Sequence, residues 1–288
     1  MTYIELHARS AFSFLEGASV PEELIGAAKT MDMPAMALLD RDGLYGSPRF
    51  HLAGVKNGIK AHIGAEITVK SQVSSLNNCL GPETWNLGHT FSLPVLVRNR
   101  TGYQNLSRLI TLMKLRVPKH AKPGECAVTP DELAEHAEGL ICLTGAHDGP
   151  LAKAINQSDI AKPQKQAEWL LDVFGKGNVY AELQRHFQRD EEARNQVVME
   201  IAARLDLPLL ATNGVCHASR SQRQVSDVFT CIRNHVCLEN AGQLLALNSE
   251  RYLKSAKAMN KLFADLPEAI HNTLELSSRL EFSLTDLG

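Results

Sequence analysis

Short apolar segments recur along the chain and alternate with stretches whose apolar residues have the spacing of an amphipathic helix. Most of these segments are four to six residues long and nearly all apolar, as strands buried on both faces of a sheet are. The pattern predicts seven strands, at residues 3–7, 35–39, 59–67, 93–97, 139–144, 178–183 and 207–212.

Helix-start signals lie between the predicted strands. Ser19, Pro21 and Glu22 have the pattern of a capping box, which predicts a helix that runs to about Met31. The segment from Thr129 to Glu132 repeats this device. The apolar spacing predicts further helices at residues 47–57, 102–115, 161–174, 189–205 and 221–235.

The sustained alternation of strand and helix indicates a parallel α/β fold. A doubly wound sheet normally has a glycine-rich phosphate loop after its first strand, but the segment that follows here, HARSAFSFLEGAS, has neither GxGxxG nor GxxxxGK[ST]. We therefore expect a distorted, seven-stranded, TIM-like (β/α) barrel over residues 1–240. Residues 241–288 have the pattern of two amphipathic helices, and we expect them to form a helical extension.

Two polar stretches interrupt this alternation. Residues 70–92 are rich in Gly, Asn and Ser, and residues 116–128 are basic and contain two prolines. Both predict long surface loops. The chain ends without a charged tail or a capping residue, and we expect it to be a segment of a longer protein.

Composition narrows the functional classes. The net charge is −2, which excludes a polycationic protein that coats nucleic acid, and the 44% of hydrophobic residues exclude a disordered chain. No run of eighteen apolar residues predicts a membrane span. The six cysteines lack CxxC spacing, so we expect a reduced, cytoplasmic protein without a disulfide framework or zinc ribbon.

Polar residues stand at the ends of most predicted strands, where a (β/α) barrel places its functional groups. The candidate residues at this mouth are His7, Asp40, Glu66, Thr144, Glu182, His186 and Asn213. A histidine among several carboxylates is the composition of a metal-assisted hydrolase site. A single polar residue at a strand end more commonly bonds a loop, so both interpretations remain open at this point.

The chain resembles the PHP (polymerase and histidinol phosphatase) domain in three opening motifs, YIELHARSAFSFLEGAS, MPAMALLDRDGLYGSPRFH and IKAHIGAEI. The resemblance continues in order through RTGYQNLSRLIT, GLICLTG, VYAELQRHF, LLATNGV and YLKSAKAMNKLFADLPEAIHNTLEL. It covers essentially the whole chain. The domain of this type opens bacterial C-family DNA polymerases of the polymerase III alpha type, and the ELHARSAFSFLEGAS and ELQRHF segments are most similar to the error-prone, DNA-damage-associated branch.

The resemblance implies a seven-stranded barrel with up to three metal ions at its mouth, where phosphoester bonds are cleaved. In polymerases that keep the metals, it implies a 3′–5′ proofreading exonuclease. On this pattern the positions matching metal ligands are His7, Glu16, Asp40, Glu66 and Cys216.

This chain departs from the family pattern at several ligand positions. Arg9 replaces the second histidine of His-x-His, and Arg41 replaces the histidine of Asp-His. Ala146 stands near a position where a ligand is expected. The last motif, usually Asn-Asp-x-His, runs here from Asn213 to Cys216 without the acidic residue.

Arginine has no acceptor atom and stays protonated, so it repels a divalent cation instead of binding it. We therefore expect Arg9 and Arg41 to fill the former metal positions and to pair with Asp40, Glu66 or Glu16. On this hypothesis the site is vestigial and holds no cofactor.

Three functions follow from these observations. The first is a structural and interaction domain of an error-prone polymerase that is active in translesion synthesis. Its expected partners are the remaining polymerase domains, DNA through these domains, and other mutasome or replisome subunits. No membrane partner is expected. The second is a residual phosphoesterase or 3′–5′ exonuclease that uses Zn, Mn or Mg. The third is a free-standing phosphatase of the histidinol-phosphate type, against which the ELQRHF segment argues.

Overall fold

The computed structural model describes residues 1–70, 90–118, 126–155 and 161–287. Within these ranges the chain forms one curled sheet of six strands, which lie side by side in chain order. The strands are β1 (Ala35–Arg41), β2 (Lys60–Lys70), β3 (Thr90–Val97), β4 (Leu140–Leu143), β5 (Val179–Leu183) and β6 (Leu209–Ala211). The α/β class and the curled, barrel-like sheet agree with the sequence prediction.

Strand β3 runs opposite to the others. It pairs antiparallel with both β2 and β4, whereas the remaining neighbours pair in parallel. The prediction of a parallel arrangement throughout is therefore wrong at β3. A parallel connection needs a crossover, usually a helix, and the polar Gly/Asn/Ser-rich sequence between β2 and β3 carries no helical pattern. The expected loop at 70–92 is shorter than predicted, because β2 includes Lys70 and β3 begins at Thr90; residues 71–89 lie outside the described part.

The first predicted strand, residues 3–7, is not a regular strand in the structure. This segment lies between β1 and the chain after β6, and isolated bridges join Glu5 to Met36 and Ala8 to Val215. The Glu5 carboxylate accepts the amides of His7 and Asn213, which takes these donors away from a regular ladder. The expected seven-stranded barrel is thus six strands and an irregular segment within the described residues.

Except for a short helix at residues 150–155, which the sequence pattern does not predict, the helices lie close to the predicted positions. Those of the first half are α1 (Pro21–Thr30), α2 (Ser47–Asn57), α3 (Arg100–Leu115), α4 (Pro130–Glu135) and α5 (Pro150–Ile155). The second half contains α6 (Lys162–Phe174), α7 (Glu191–Leu205), α8 (Arg223–Asn234), α9 (Ala256–Leu262) and α10 (Pro267–Arg279). Among the described residues, none of the helices has the length and apolar character needed to cross a lipid bilayer.

The predicted capping box at the start of α1 is wrong in its register. The N-cap residue is Val20, and its amide donates to the Glu23 carboxylate at 3.2 Å. The Ser19 hydroxyl instead donates to the Gln222 side chain at 2.6 Å and so joins the helix to a distant loop. A tertiary partner therefore replaces the local bond that the sequence pattern indicates.

The capping box at α4 is confirmed. The Thr129 hydroxyl accepts the amide of Glu132 at 3.3 Å, and the Glu132 carboxylate accepts the amide of Thr129 at 2.8 Å. We expect Thr129→Ala to lower the free energy of unfolding by about 1 kcal/mol, measured by urea denaturation. Thr111→Ala is the control, because Thr111 is an exposed position of α3 and its hydroxyl bonds the Ser107 carbonyl oxygen within the same helix. The free energy of unfolding should change by less than about 0.5 kcal/mol in this variant. Equal losses in both variants would contradict the role of the cap.

The concave face of the sheet is apolar at one end and polar at the other. Its apolar end is a cluster that includes Leu6, Ala37, Leu39, Ile141 and Tyr180, and Leu276 and Leu280 close it from α10 and its C-terminal end. The two C-terminal helices thus pack against the barrel. The division at residue 240 stays a prediction.

Candidate functional site

The polar end of the concave face lies at the mouth, where the parallel strands end. Side chains alternate between the two faces of a strand, so each strand places every second residue on the concave face. In this way the strands and their C-terminal extensions place a set of polar side chains above the apolar cluster; these are Arg41, Glu66, Ser92, Glu182 and Thr212. The irregular N-terminal segment adds His7 and Arg9.

Glu66 is the centre of this mouth network and is fully buried. The Arg9 guanidinium donates to both of its oxygens, from Nε to Oε1 at 2.5 Å and from Nη2 to Oε2 at 2.5 Å. His7 Nε2 lies 2.7 Å from Oε1, and the Ser92 hydroxyl donates to Oε2 at 2.7 Å. Each carboxylate oxygen therefore has two hydrogen-bond partners from the protein itself.

Arg41 occupies the outer part of the mouth. Its Nη2 donates to Asp148 Oδ2 at 2.9 Å and lies 3.5 Å from Glu66 Oε2. Glu16 contacts both guanidinium groups, with Oε2 at 3.2 Å from Arg9 Nη1 and 3.4 Å from Arg41 Nε. Two cations and three carboxylates thus form one connected ion-pair network.

His7 connects this network to a second buried carboxylate. Its Nδ1 lies 2.5 Å from Glu182 Oε1, while its Nε2 faces Glu66. Burial alone would lower the pKa of His7, but the charges of Glu182 and Glu66 outweigh it and raise that pKa to about 10. At neutral pH the ring is an imidazolium that donates to a carboxylate from each nitrogen.

The charges hold the carboxylates ionised. Burial would raise the pKa of Glu66, but the neighbouring Arg9, Arg41 and His7 hold it well below its usual range. Burial and the Glu66 charge would raise the pKa of Asp148, but Arg9 and other nearby cations lower it to about 2. The ionised carboxylates thus offset much of the desolvation cost of the buried cations.

Glu182 has one oxygen satisfied and one free. Oε1 accepts from His7, from the Thr212 hydroxyl and from Gln184 Nε2, the last at 2.9 Å. Oε2 has no hydrogen-bond partner among the described residues. It lies beside a small cavity lined in part by Ala146 and Asn195.

Asp40 does not pair with either arginine. Leu39 and Arg41 face the concave side of β1, so Asp40 faces the helix layer together with Leu38. There its carboxylate accepts the amide of Ser10 at 2.8 Å and the hydroxyls of Ser10 and Ser13 at 2.9 and 2.8 Å. The expectation that Asp40 could be a partner of the arginines is therefore wrong, and burial raises the pKa of this carboxyl.

The remaining predicted mouth residues hold loops. The side-chain amide of Asn213 donates from Nδ2 to the carbonyl oxygens of Glu250 and Tyr252 at 2.8 and 2.7 Å. His186 lies 2.9 Å from the Asn213 carbonyl oxygen through Nε2 and 3.0 Å from Glu191 through Nδ1. These contacts leave Asn213 and His186 outside the network around Glu66.

Cys216 is buried and remains a free thiol. Its Sγ lies 3.6 Å from the Gly214 carbonyl oxygen, a weak donor contact within its own loop. Its neighbour His217 bonds the Ser219 carbonyl oxygen at 2.9 Å through Nδ1. Neither side chain has a contact with the carboxylates of the mouth network.

Sequence reasoning missed three residues that the structure places at or below the mouth. Asp148 lies two positions after Ala146, where a ligand is expected, and the charged pair His147-Asp148 beside a strand end is a signal that could reveal it. Ser92 lies within the predicted loop at 70–92, but it belongs to strand β3. Glu5 lies in an apolar segment, where a lone carboxylate is itself unusual, and burial raises its pKa to about 7.

The mouth residues do not fit a metal ion as they are arranged. Both nitrogens of His7 bond carboxylates, and all four partners of Glu66 are donors from the protein. Two guanidinium groups occupy the space between the carboxylates. Among the described residues, no group of three His, Cys, Asp or Glu side chains is placed to hold a metal.

Comparison with known proteins gives consistent matches. Residues 5–186 match the model of the PHP domain. The chain is 31% identical over 290 residues to the DNA polymerase III subunit alpha of Treponema pallidum. This match covers 100% of this chain and 24% of that protein. It is 34% identical over 284 residues to the error-prone DNA polymerase of Mycolicibacterium paratuberculosis, with 98% and 25% covered. The chain therefore spans about a quarter of the length of these relatives.

Proposed function

This chain belongs to the PHP domain family, and we propose that it is the N-terminal domain of an error-prone, C-family DNA polymerase whose metal site no longer works. The names and lengths of the relatives support the polymerase assignment, since each is about four times as long as this chain. The proposed role of the domain is to support the polymerase domains and to contact other subunits during translesion synthesis and DNA repair.

The proposal that the domain is not catalytic rests on Glu66, because both of its carboxylate oxygens already bond groups of the protein. A metal ion needs lone pairs from neutral imidazole or from carboxylate oxygens. Here Arg9 and Ser92 donate to Glu66, and His7 is held as a cation between two carboxylates. A metal would have to displace the buried guanidinium of Arg9 and the half-buried guanidinium of Arg41 before it could reach these ligands, and their charge opposes its approach.

We expect the purified chain to retain no stoichiometric metal after incubation with Mn, Zn or Mg and desalting, as measured by elemental analysis. We also expect no hydrolysis of a generic phosphoester or of 3′-labelled single-stranded DNA with any of these metals. The physical reason is that the cations which fill the mouth compete with the metal for the same carboxylates. The Arg9→His/Arg41→His double variant restores two potential ligands and is expected to bind more metal than the natural chain.

Bound metal in the natural chain, together with hydrolysis that His7→Ala abolishes, would contradict this proposal. The result would favour a residual phosphoesterase or 3′–5′ exonuclease that uses His7, Glu66 and their neighbours. The polymerase assignment has a separate test. The reading frame beyond codon 288 should continue into polymerase domains, and the complete product should extend a primed template.

A further inference from the structure

Helix α8 turns three apolar side chains toward solvent. Val225, Val228 and Ile232 are 39%, 49% and 52% exposed. They are spaced three and four residues apart, so they form one stripe along the helix. A surface helix normally turns such a stripe toward the core.

The less exposed face of α8 is mainly polar, although it also carries Phe229 and Cys231. Arg223, Ser226, Asp227 and Thr230 are half-buried, and of the α8 residues only Cys231 is buried. Arg223 Nε lies 3.4 Å from Asp227 Oδ2, and the buried Ser226 hydroxyl has no partner among the described residues. Part of the apolar surface of α8 is therefore exposed, while polar side chains occupy much of its half-buried face.

Further exposed apolar side chains follow α8 in the sequence. Leu238, Leu244 and Leu247 are 54%, 48% and 79% exposed. A groove of about 470 Å³ lies beside the stripe; its lining includes Val228, Cys231, Ile232, Val236 and Leu238. Contiguous apolar surface of this kind marks a site of contact with another folded unit.

We propose that this surface, formed by the outward stripe of α8 and the adjoining groove, docks the polymerase region that accompanies the domain. The inference rests on the proposed function, because about three-quarters of the length of the relatives lies outside this chain. Anchors at i, i+3 and i+7 fit an apolar groove of a partner. A region in the same polypeptide is present at high effective concentration and keeps such a surface covered. A subunit that dissociates would expose this apolar surface to solvent for part of the time, so we favour a region of the same polypeptide.

The docking surface borders the mouth. Arg233, near the end of α8, has Nη1 4.0 Å from Glu16 Oε1. Glu16 in turn contacts Arg9 and Arg41. A polymerase region seated on α8 would therefore lie next to the closed mouth and would share the same rigid support.

The test uses the complete polymerase with a protease site introduced after residue 288. After cleavage, co-elution on gel filtration and the dissociation constant report whether the two parts stay together. Val228→Asp/Ile232→Asp is expected to weaken their association at least about 100-fold, because two buried anchors become charged. The matched control is Val55→Asp/Leu52→Asp on α2, where the two side chains are 65% and 68% exposed, and it is expected to have no effect.

Unchanged association of the α8 variant, or equal weakening in the control, would overturn the inference. Self-association of the chain that the α8 variant abolishes would assign the surface to a second copy and would also overturn it. Hydrogen exchange gives a readout that needs no variant, since residues 223–247 should be protected in the intact polymerase and lose protection when the parts separate. If protection does not change, the inference fails. Primer extension and metal content are measured independently, so failure of the proposed function is recognised separately.

Discussion

Glu66→Gln is expected to lower the free energy of unfolding by about 3–5 kcal/mol. The carboxylate is fully buried and accepts hydrogen bonds from both ends of the Arg9 guanidinium. A neutral amide keeps the shape but removes the negative charge and turns one acceptor into a donor that faces Arg9. Arg9 then loses its principal counter-ion, and His7 keeps only Glu182 of its two carboxylate partners. Urea denaturation at neutral pH measures the loss.

Glu22→Gln is the matched control. Glu22 also pairs in a bidentate manner with an arginine, through oxygen–nitrogen distances of 2.7 and 2.9 Å to Arg49, but this pair is exposed. Exposed pairs contribute about 0–1 kcal/mol, because water screens the charges and already solvates them well. If Glu66→Gln cost no more than Glu22→Gln, the mouth network would not be a buried, interdependent unit.

The stability of the chain is expected to fall as the pH rises from about 7 to 10 because of His7. Its pKa in the folded chain is about 10, above the value of about 6.5 for an unfolded histidine. The protonated ring thus stabilises the folded state fully below about pH 6.5, and this contribution is lost as the pH rises through 10. The loss amounts to at most about 5 kcal/mol. Denaturation curves measured across this range give the slope.

His7→Gln is expected to flatten this slope, while His62→Gln should preserve it. His62 is also buried, but burial lowers its pKa to about 3, so its ring stays neutral at every pH in the window. Burial raises the pKa of the Glu5 carboxyl to about 7. Its ionisation therefore lowers stability mainly as the pH rises toward 7, which is below this window. A natural chain whose stability stays constant from pH 7 to 10, or a ring that NMR shows to be neutral at pH 8, would contradict the assignment.

The helices could be predicted because their signals are local. Apolar spacing and the bonds of Thr129 and Glu132 involve residues within a turn or two of each other, and these elements appear within a few residues of the predicted bounds. The start of α1 shows the limit. Ser19 has a suitable sequence position for an N-cap, but its hydroxyl bonds Gln222, about two hundred residues away, and no local pattern reports such a partner.

Strand direction and the irregular first segment depend on long-range pairing. An apolar run predicts a strand but carries no sign for parallel or antiparallel neighbours, so β3 was indistinguishable from the others. The segment around Glu5 has strand-like composition, yet one buried carboxylate takes the amides that a ladder would use. The missing helical pattern before β3 is the signal that could have predicted its reversal.

The candidate site could be predicted in its residue types more than in its pairings. Arginines at ligand positions predict carboxylate partners, and Glu66 and Glu16 are among them. The period of two along β1 places Arg41 and Asp40 on opposite faces, and this alone separates them. Asp148 could not be assigned as the partner of Arg41, because its position depends on how the loop after β4 folds back.

If the mouth once held metal ions, as proposed, the sharing of Glu66 among several donors makes their return difficult. If one arginine reverts to histidine, the other remains in place and still excludes the ion, while the buried carboxylates lose part of their charge compensation. Each single substitution is therefore expected to lower stability without a gain in metal binding, and selection would act against it. Because these side chains depend on one another, proteins with this arrangement of residues are expected to keep it.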